Sequence, residues 1–187
     1  MIYIIRHGKT ELNKANVLQG RSNYTLNEEG IKEAKEAARK LDGVHFDHVF
    51  SSPLRRAVRT AEIIAPAIAP TIDERIIEMD YGPYEGFDLG NPDPKLEHFF
   101  KDFVNNKAPD GMEQLSSVLE RTKGFLEDIR GLEGNILIST HAIAMKGILE
   151  NLTPDSKGAY WSKFIGNCAV YRANNGGGSI GEPEEMK

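Results

Sequence analysis

At 187 residues, with 40% hydrophobic and 27% charged residues, the chain has room for one ordinary core, or one domain with an insertion. A formal net charge of -5 argues against a dedicated nucleic-acid binder, which would present a basic face, yet it leaves room for a local positive pocket. The single cysteine, Cys168, rules out an intramolecular disulfide and reads as a small core residue, and no apolar run approaches the roughly 20 residues of a membrane span.

Met1 to Arg6 lacks the pattern of a secretion leader, so the expected location is cytoplasmic. Ile2 to Ile5 is short and almost wholly apolar, which suits a strand buried on both faces of a parallel sheet. Asn27, followed by Glu28 and Glu29, reads as a helix cap with acids in the first turn. Ile31, Ala34, Ala38 and Leu41 then recur at helical spacing, and Gly43 lies just past the end. Val49 to Ser51 closes a second strand, and Pro53 starts a helix carrying Val58, Ala61, Ile64 and Ala65 on one side. A third strand is expected at Thr71 and Ile72.

After Gly86 the pattern changes. Asn91-Pro92-Asp93-Pro94 is a turn cluster, followed by a helical stripe of Leu96, Phe99, Phe100, Phe103 and Val104. Phe87 to Asp110 is too short to hold a core alone and reads as an insertion in a domain spanning 1–173. A long helix runs from Leu115 to Ile129, a buried strand from Asn135 to Ser139, and a helix from Ala142 to Leu152 that Pro154 ends. Ala169 to Tyr171 suits a last strand, and the glycine- and glutamate-rich tail, 174–187, is expected to be mobile. Alternation of strand and helix gives an α/β class: a mainly parallel central sheet with helices on both faces.

Three strand ends carry chemistry: Arg6-His7-Gly8, Ser51-Ser52-Pro53 with arginines in the following helix, and Ser139-Thr140-His141. In a parallel sheet these ends lie on one edge, where open α/β folds place their ligands. Topology therefore gathers His7, His141, Arg6 and one or more of Arg55, Arg56 and Arg59. Such a cluster suits an anion, because guanidinium forks match phosphate oxygens and helix N-termini add N–H donors.

The ordered set Ile5-Arg-His-Gly-Lys-Thr-Glu-Leu-Asn13, Gln19-Gly-Arg21, Leu26-Asn-Glu-Glu-Gly30, Ser51-Ser-Pro-Leu-Arg55 with Thr60-Ala61, Glu78 with Tyr81-Gly82 and Glu85-Gly86, and Ser139-Thr-His141 resembles the histidine phosphatase superfamily, in its phosphoglycerate mutase-like branch. The resemblance covers Met1 to about Ala173. It implies that His7 is phosphorylated and that Arg6, Arg55 and a protonated His141 hold the phosphoryl oxygens. Asn13 adds a phosphate contact, with Gln19 and Gly20 beside it, and Glu78 serves as proton donor. The insertion, 87–110, would hang over the site. No metal and no organic cofactor are implied, and the expected partner is a small phosphorylated substrate, with no nucleic acid or membrane; monomer and homodimer both stay open.

Several residues have plainer readings. His45, His48 and His98 lack this context and read as surface or packing residues. Arg55 is the preferred clamp, with Arg56 and Arg59 expected on the helix exterior, although Arg59 is able to face the same side. Glu85 could simply cap a helix, and Asp80 and Glu85 compete with Glu78 for the acid role. The Phe99, Phe100 and Phe103 stripe reads as lid-to-core packing; if part of it faces the pocket, the leaving group is partly apolar. Lys9, where an acid or glutamine is common in the family, reads as solvated. Ala142, in place of a frequent glycine, narrows the space by one methyl group.

A phosphomonoesterase is the favoured function. A phosphoglycerate mutase usually has longer insertions and a tryptophan before the asparagine matching Asn13, where this chain has Leu12. A non-catalytic phospholigand-binding module would be expected to lack one of His7, Arg55, Glu78 and His141, and all four are present.

Overall fold

The computed structural model describes residues 1–176 and 179–186. Its strands are β1 (Ile2–Arg6), β2 (His48–Ser51), β3 (Thr71–Ile72), β4 (Ile136–Thr140), β5 (Val170–Ala173), β6 (Asn175–Gly176), β7 (Ser179–Ile180) and β8 (Glu184–Met186). Its α-helices are α1 (Glu11–Lys14), α2 (Glu28–Lys40), α3 (Arg55–Ile64), α4 (Pro94–Lys101), α5 (Leu115–Ile129) and α6 (Ala142–Leu152). Six strands form one sheet in the order β3-β2-β4-β1-β5-β8; the first four run parallel, and β5 is antiparallel to both of its neighbours. The sheet is thus mixed but mostly parallel, as the alternation of elements predicts. No helix among the described residues is long and apolar enough to cross a membrane.

Side-chain alternation along β1 divides the core in two. Ile2 and Ile4 join Ile136 and Ile138 against Phe125, Leu126 and Ile129 of α5 and Met145, Ile148 and Leu149 of α6. Tyr3 and Ile5 face the other way, with Val49 and Leu137, against Ala37 of α2 and Ala61 and Ile64 of α3. Both faces being covered explains why these strands read as continuous apolar runs.

The N-terminus of α2 docks directly on the loop that follows β1. Asn27 caps the helix through Gly30 N–H at 2.8 Å, and its own N–H donates to the Lys9 carbonyl at 3.0 Å. A Cβ on Gly30 would lie 2.1 Å from that same carbonyl oxygen, so only glycine permits this approach. The loop carrying His7 is therefore clamped between the sheet edge and a helix end.

Residues 87–110 contribute to a third apolar cluster, in which Leu96 and Phe99 are fully buried with Met79, Val118, Ile143 and Trp161. Within the tail, β6 and β7 pair with each other, and β8 pairs antiparallel with β5. The physical reason is the open edge of β5, whose unpaired backbone groups the tail satisfies, reinforced by an Arg172–Glu184 ion pair at 2.6 Å. Gly177, Gly178 and Lys187 of the tail lie outside the described residues.

Candidate active site

The carboxyl ends of β1, β2 and β4 meet as the topology requires. His7 N–H donates to the Thr140 carbonyl at 2.9 Å, and Ser52 N–H donates to the Ser139 carbonyl at 3.0 Å. The rings of His7 and His141 consequently stand 5.0 Å apart, centroid to centroid, and both are buried.

His7 has a defined tautomer. Its Nδ1 lies 2.7 Å from the Gly8 carbonyl oxygen, which can only accept, so Nδ1 carries the proton. That leaves a lone pair on Nε2, which accepts from Nε–H of Arg56 at 3.2 Å. Burial, then the charges of Arg56 and Arg6, holds the imidazole pKa well below its ordinary 6.5. His7 is thus a neutral base with its lone pair aimed into a cationic site.

Arg56 is fully buried and spans the site. Besides His7, it donates from one terminal nitrogen to the Ser22 carbonyl at 2.7 Å and from the other to the Gly20 carbonyl at 2.6 Å. Burial lowers its pKa to about 10, which leaves it charged at neutral pH. Arg6 donates to the Ile165 carbonyl at 2.5 Å, while its Nε is buried without a hydrogen-bond partner among the described residues. Gln19 has the same feature: Oε1 accepts from the Thr10 hydroxyl at 2.7 Å, and Nε2 is buried and unpartnered. Asn13 is held by Thr10 N–H on its Oδ1 at 3.1 Å. Unpaired buried donors beside a cavity are what an anion would satisfy.

His141 Nε2 lies 2.7 Å from the Ser52 hydroxyl, and its Nδ1 has no partner among the described residues. Glu78 is buried, with Oε1 accepting from backbone N–H of Met79 at 2.9 Å, Ile143 at 3.1 Å and Ala144 at 3.2 Å. The start of α6 thereby fixes the carboxyl in place. Arg6, His7, Asn13, Gln19 and Glu78 line one cavity of about 280 Å³.

Residues 2–180 match the model of the histidine phosphatase superfamily (branch 1). The chain belongs to the histidine phosphatase superfamily. Phosphoserine phosphatase 1 of Hydrogenobacter thermophilus is 32% identical over 175 residues, covering 90% of this chain and 83% of that protein. A probable phosphoglycerate mutase of Proteus mirabilis is 28% identical over 181 residues, covering 92% and 84%. Among solved structures, phosphoserine phosphatase of Entamoeba histolytica in complex with 3-phosphoglyceric acid superposes with a TM-score of 0.83 at 25% identity, covering 100% of this chain and 94% of that one.

Within this histidine phosphatase, two sequence expectations about position need correction. Arg55 is exposed, and its backbone N–H donates to Asn23 Oδ1 at 2.8 Å. Arg56, expected on the helix exterior, is the arginine beside His7. The helical phase decides this, since Arg56, Thr60 and Ile64 share the buried side of α3. Gly20 presents no free group to the cavity either, because its N–H goes to Glu85 at 3.1 Å and its carbonyl to Arg56. A Cβ at Gly20 would lie 2.8 Å from the Tyr81 ring, so the glycine allows close packing.

The side chain of Glu85 gathers the N–H groups of Gly20, Arg21 and Ser22, the last at 2.6 Å. Lys9 pairs with Glu29 and Glu33 on α2 and does not line the cavity. Phe100 and Phe103 do line it, whereas Phe99 is core. Asn167, which donates to the His7 carbonyl at 3.0 Å, is a site residue that no motif signalled, and Ser52, read only as part of a strand end, meets His141.

The expected cationic His141 is not met here. Burial, followed by Arg56, His7 and Arg6, holds its pKa well below 6.5. Both histidines are thus neutral in the folded protein, whereas the unfolded chain takes up protons as pH falls through about 6.5. Their contribution to stability is full above about pH 6.5 and is lost as pH falls toward their folded values. The urea midpoint is therefore expected to be lower at pH 5.5 than at pH 7.5, with a smaller drop in His141→Asn. Equal wild-type midpoints at the two pH values would contradict this.

Proposed function

We propose that this chain is a phosphomonoester hydrolase acting through a phosphohistidine on His7. The observation that carries the reading is the neutral His7 with its Nε2 lone pair held beside Arg56 in a cavity whose buried donors await an anion. Nε2 attacks phosphorus in line, forming the N–P bond as the ester O–P bond breaks. Glu78, in its acid form, passes a proton to the departing oxygen. Arg6 and Arg56 meet the charge on the equatorial oxygens, with Asn13 and Gln19 donating alongside. The incoming dianion favours proton uptake by His141, which then adds a third cation. Water next attacks the phosphohistidine, Glu78 as carboxylate takes its proton, and inorganic phosphate leaves. Metal-independence and a cytoplasmic setting belong to the same proposal.

The test is phosphate release from a panel of phosphomonoesters with EDTA present. The panel includes O-phosphoserine and 3-phosphoglycerate, the latter with and without 2,3-bisphosphoglycerate. Release that survives EDTA is expected. Negligible release, together with 2-phosphoglycerate formation on adding the bisphosphate, would replace this reading with a mutase.

A further inference from the structure

The phosphoryl-binding half of the catalytic cavity is polar, and the half that must receive the leaving group is not. Apart from the Tyr81 hydroxyl, the remaining wall consists of Val17, Leu18, Leu89, Phe100, Phe103 and Ala142. The two phenylalanines are firmly backed. Phe103 stands 4.9 Å from the ring of fully buried Phe99 and 5.5 Å from Phe100. Lys146 Nζ lies 5.2 Å from the Phe103 centroid and donates to the Trp161 carbonyl at 2.7 Å, which holds that ring from behind.

Nearby charges that do not line the cavity are committed elsewhere. Arg21 is paired with Asp80 at 3.4 Å and Glu113 at 3.3 Å. Lys9 is held by two glutamates, and Lys146 lies behind Phe103 without lining the cavity. Arg6 and Glu78, the charged residues that line the cavity, belong to its phosphoryl-binding half. An ammonium or carboxylate on the leaving group would therefore be desolvated against this apolar wall. An apolar group would bury its surface against two aromatic rings.

We infer that this site selects phosphomonoesters whose leaving group is apolar, an alkyl or aryl alcohol, over those whose leaving group is charged. The inference rests on the phosphatase reading for its reaction, but not for its binding test. Alkylphosphonates from methyl to hexyl cannot be hydrolysed, so their affinities, measured by calorimetry, report the pocket alone. Affinity is expected to rise about fourfold per methylene while the chain is being buried. Propylphosphonate is expected to bind at least about tenfold more tightly than the phosphonate analogue of phosphoserine. Phe100→Ser should flatten the chain-length slope while binding of methylphosphonate changes less.

A slope that is flat in the wild type, or tighter binding of the phosphoserine analogue, would overturn the inference. Turnover of p-nitrophenyl phosphate by the same preparations reports separately on the phosphatase reading. Loss of that turnover with the slope intact would sink the reaction and keep the pocket.

Discussion

Replacing His7 with alanine is expected to lower phosphate release from any phosphomonoester by about four orders of magnitude or more. The size follows from chemistry that no neighbour can take over. His141 stands close, but its Nε2 is committed to Ser52. The remaining groups around the phosphoryl position are donors or cations, which stabilise charge without forming a bond to phosphorus. The alanine variant keeps the arginines, so it should still bind inorganic phosphate, and its circular dichroism should match the wild type. A residual rate within tenfold of wild type would remove His7 from the reaction.

The second large effect separates two adjacent arginines. Arg56→Ala is expected to lower kcat by about 100- to 1,000-fold, the range typical of removing one preorganised charge donor. It also strips the Gly20 and Ser22 carbonyls of their partner, and orphaned buried acceptors each cost about 1–3 kcal/mol. Arg56→Lys retains a charge but not the fork that reaches three acceptors in one plane, so it should recover little. Arg55→Ala truncates an exposed side chain and should alter stability by within about 0.5 kcal/mol and kcat by no more than about twofold. Steady-state kinetics and urea denaturation of the three variants measure this; equal losses at positions 55 and 56 would contradict the arrangement.

This pair also shows how far the sequence could be read. Strands β1 and β4 announce themselves as short, largely apolar runs because both faces of the sheet are covered. Once those strands are parallel, the meeting of His7 with His141 follows from topology. Capping at Asn27 and the Pro154 stop bound α2 and α6 within a residue or two. The choice between Arg55 and Arg56 depends on helical phase, which the sequence stripe of Val58, Ala61, Ile64 and Ala65 does not fix; in the structure Arg56, Thr60 and Ile64 share the buried side.

Other residues left no local signal. Asn167 enters from a loop beside Cys168, whose φ of 54° no pattern announces, and its contact with the His7 carbonyl spans 160 residues of sequence. The neutrality of His141 comes from burial beside arginines, which is a property of the assembled site. Strand β8 forms because β5 offers an open edge, and a glycine- and glutamate-rich tail carries no apolar run to foretell that pairing.

The central claim is that the phosphoryl group passes through His7. Turning the enzyme over on a phosphomonoester, quenching in alkaline denaturant and mapping the modification by mass spectrometry tests it directly. A single added phosphate on His7, absent from His7→Ala, is the expected result. Phosphate on any other residue, or rapid turnover with no modified peptide above the alanine background, would contradict it.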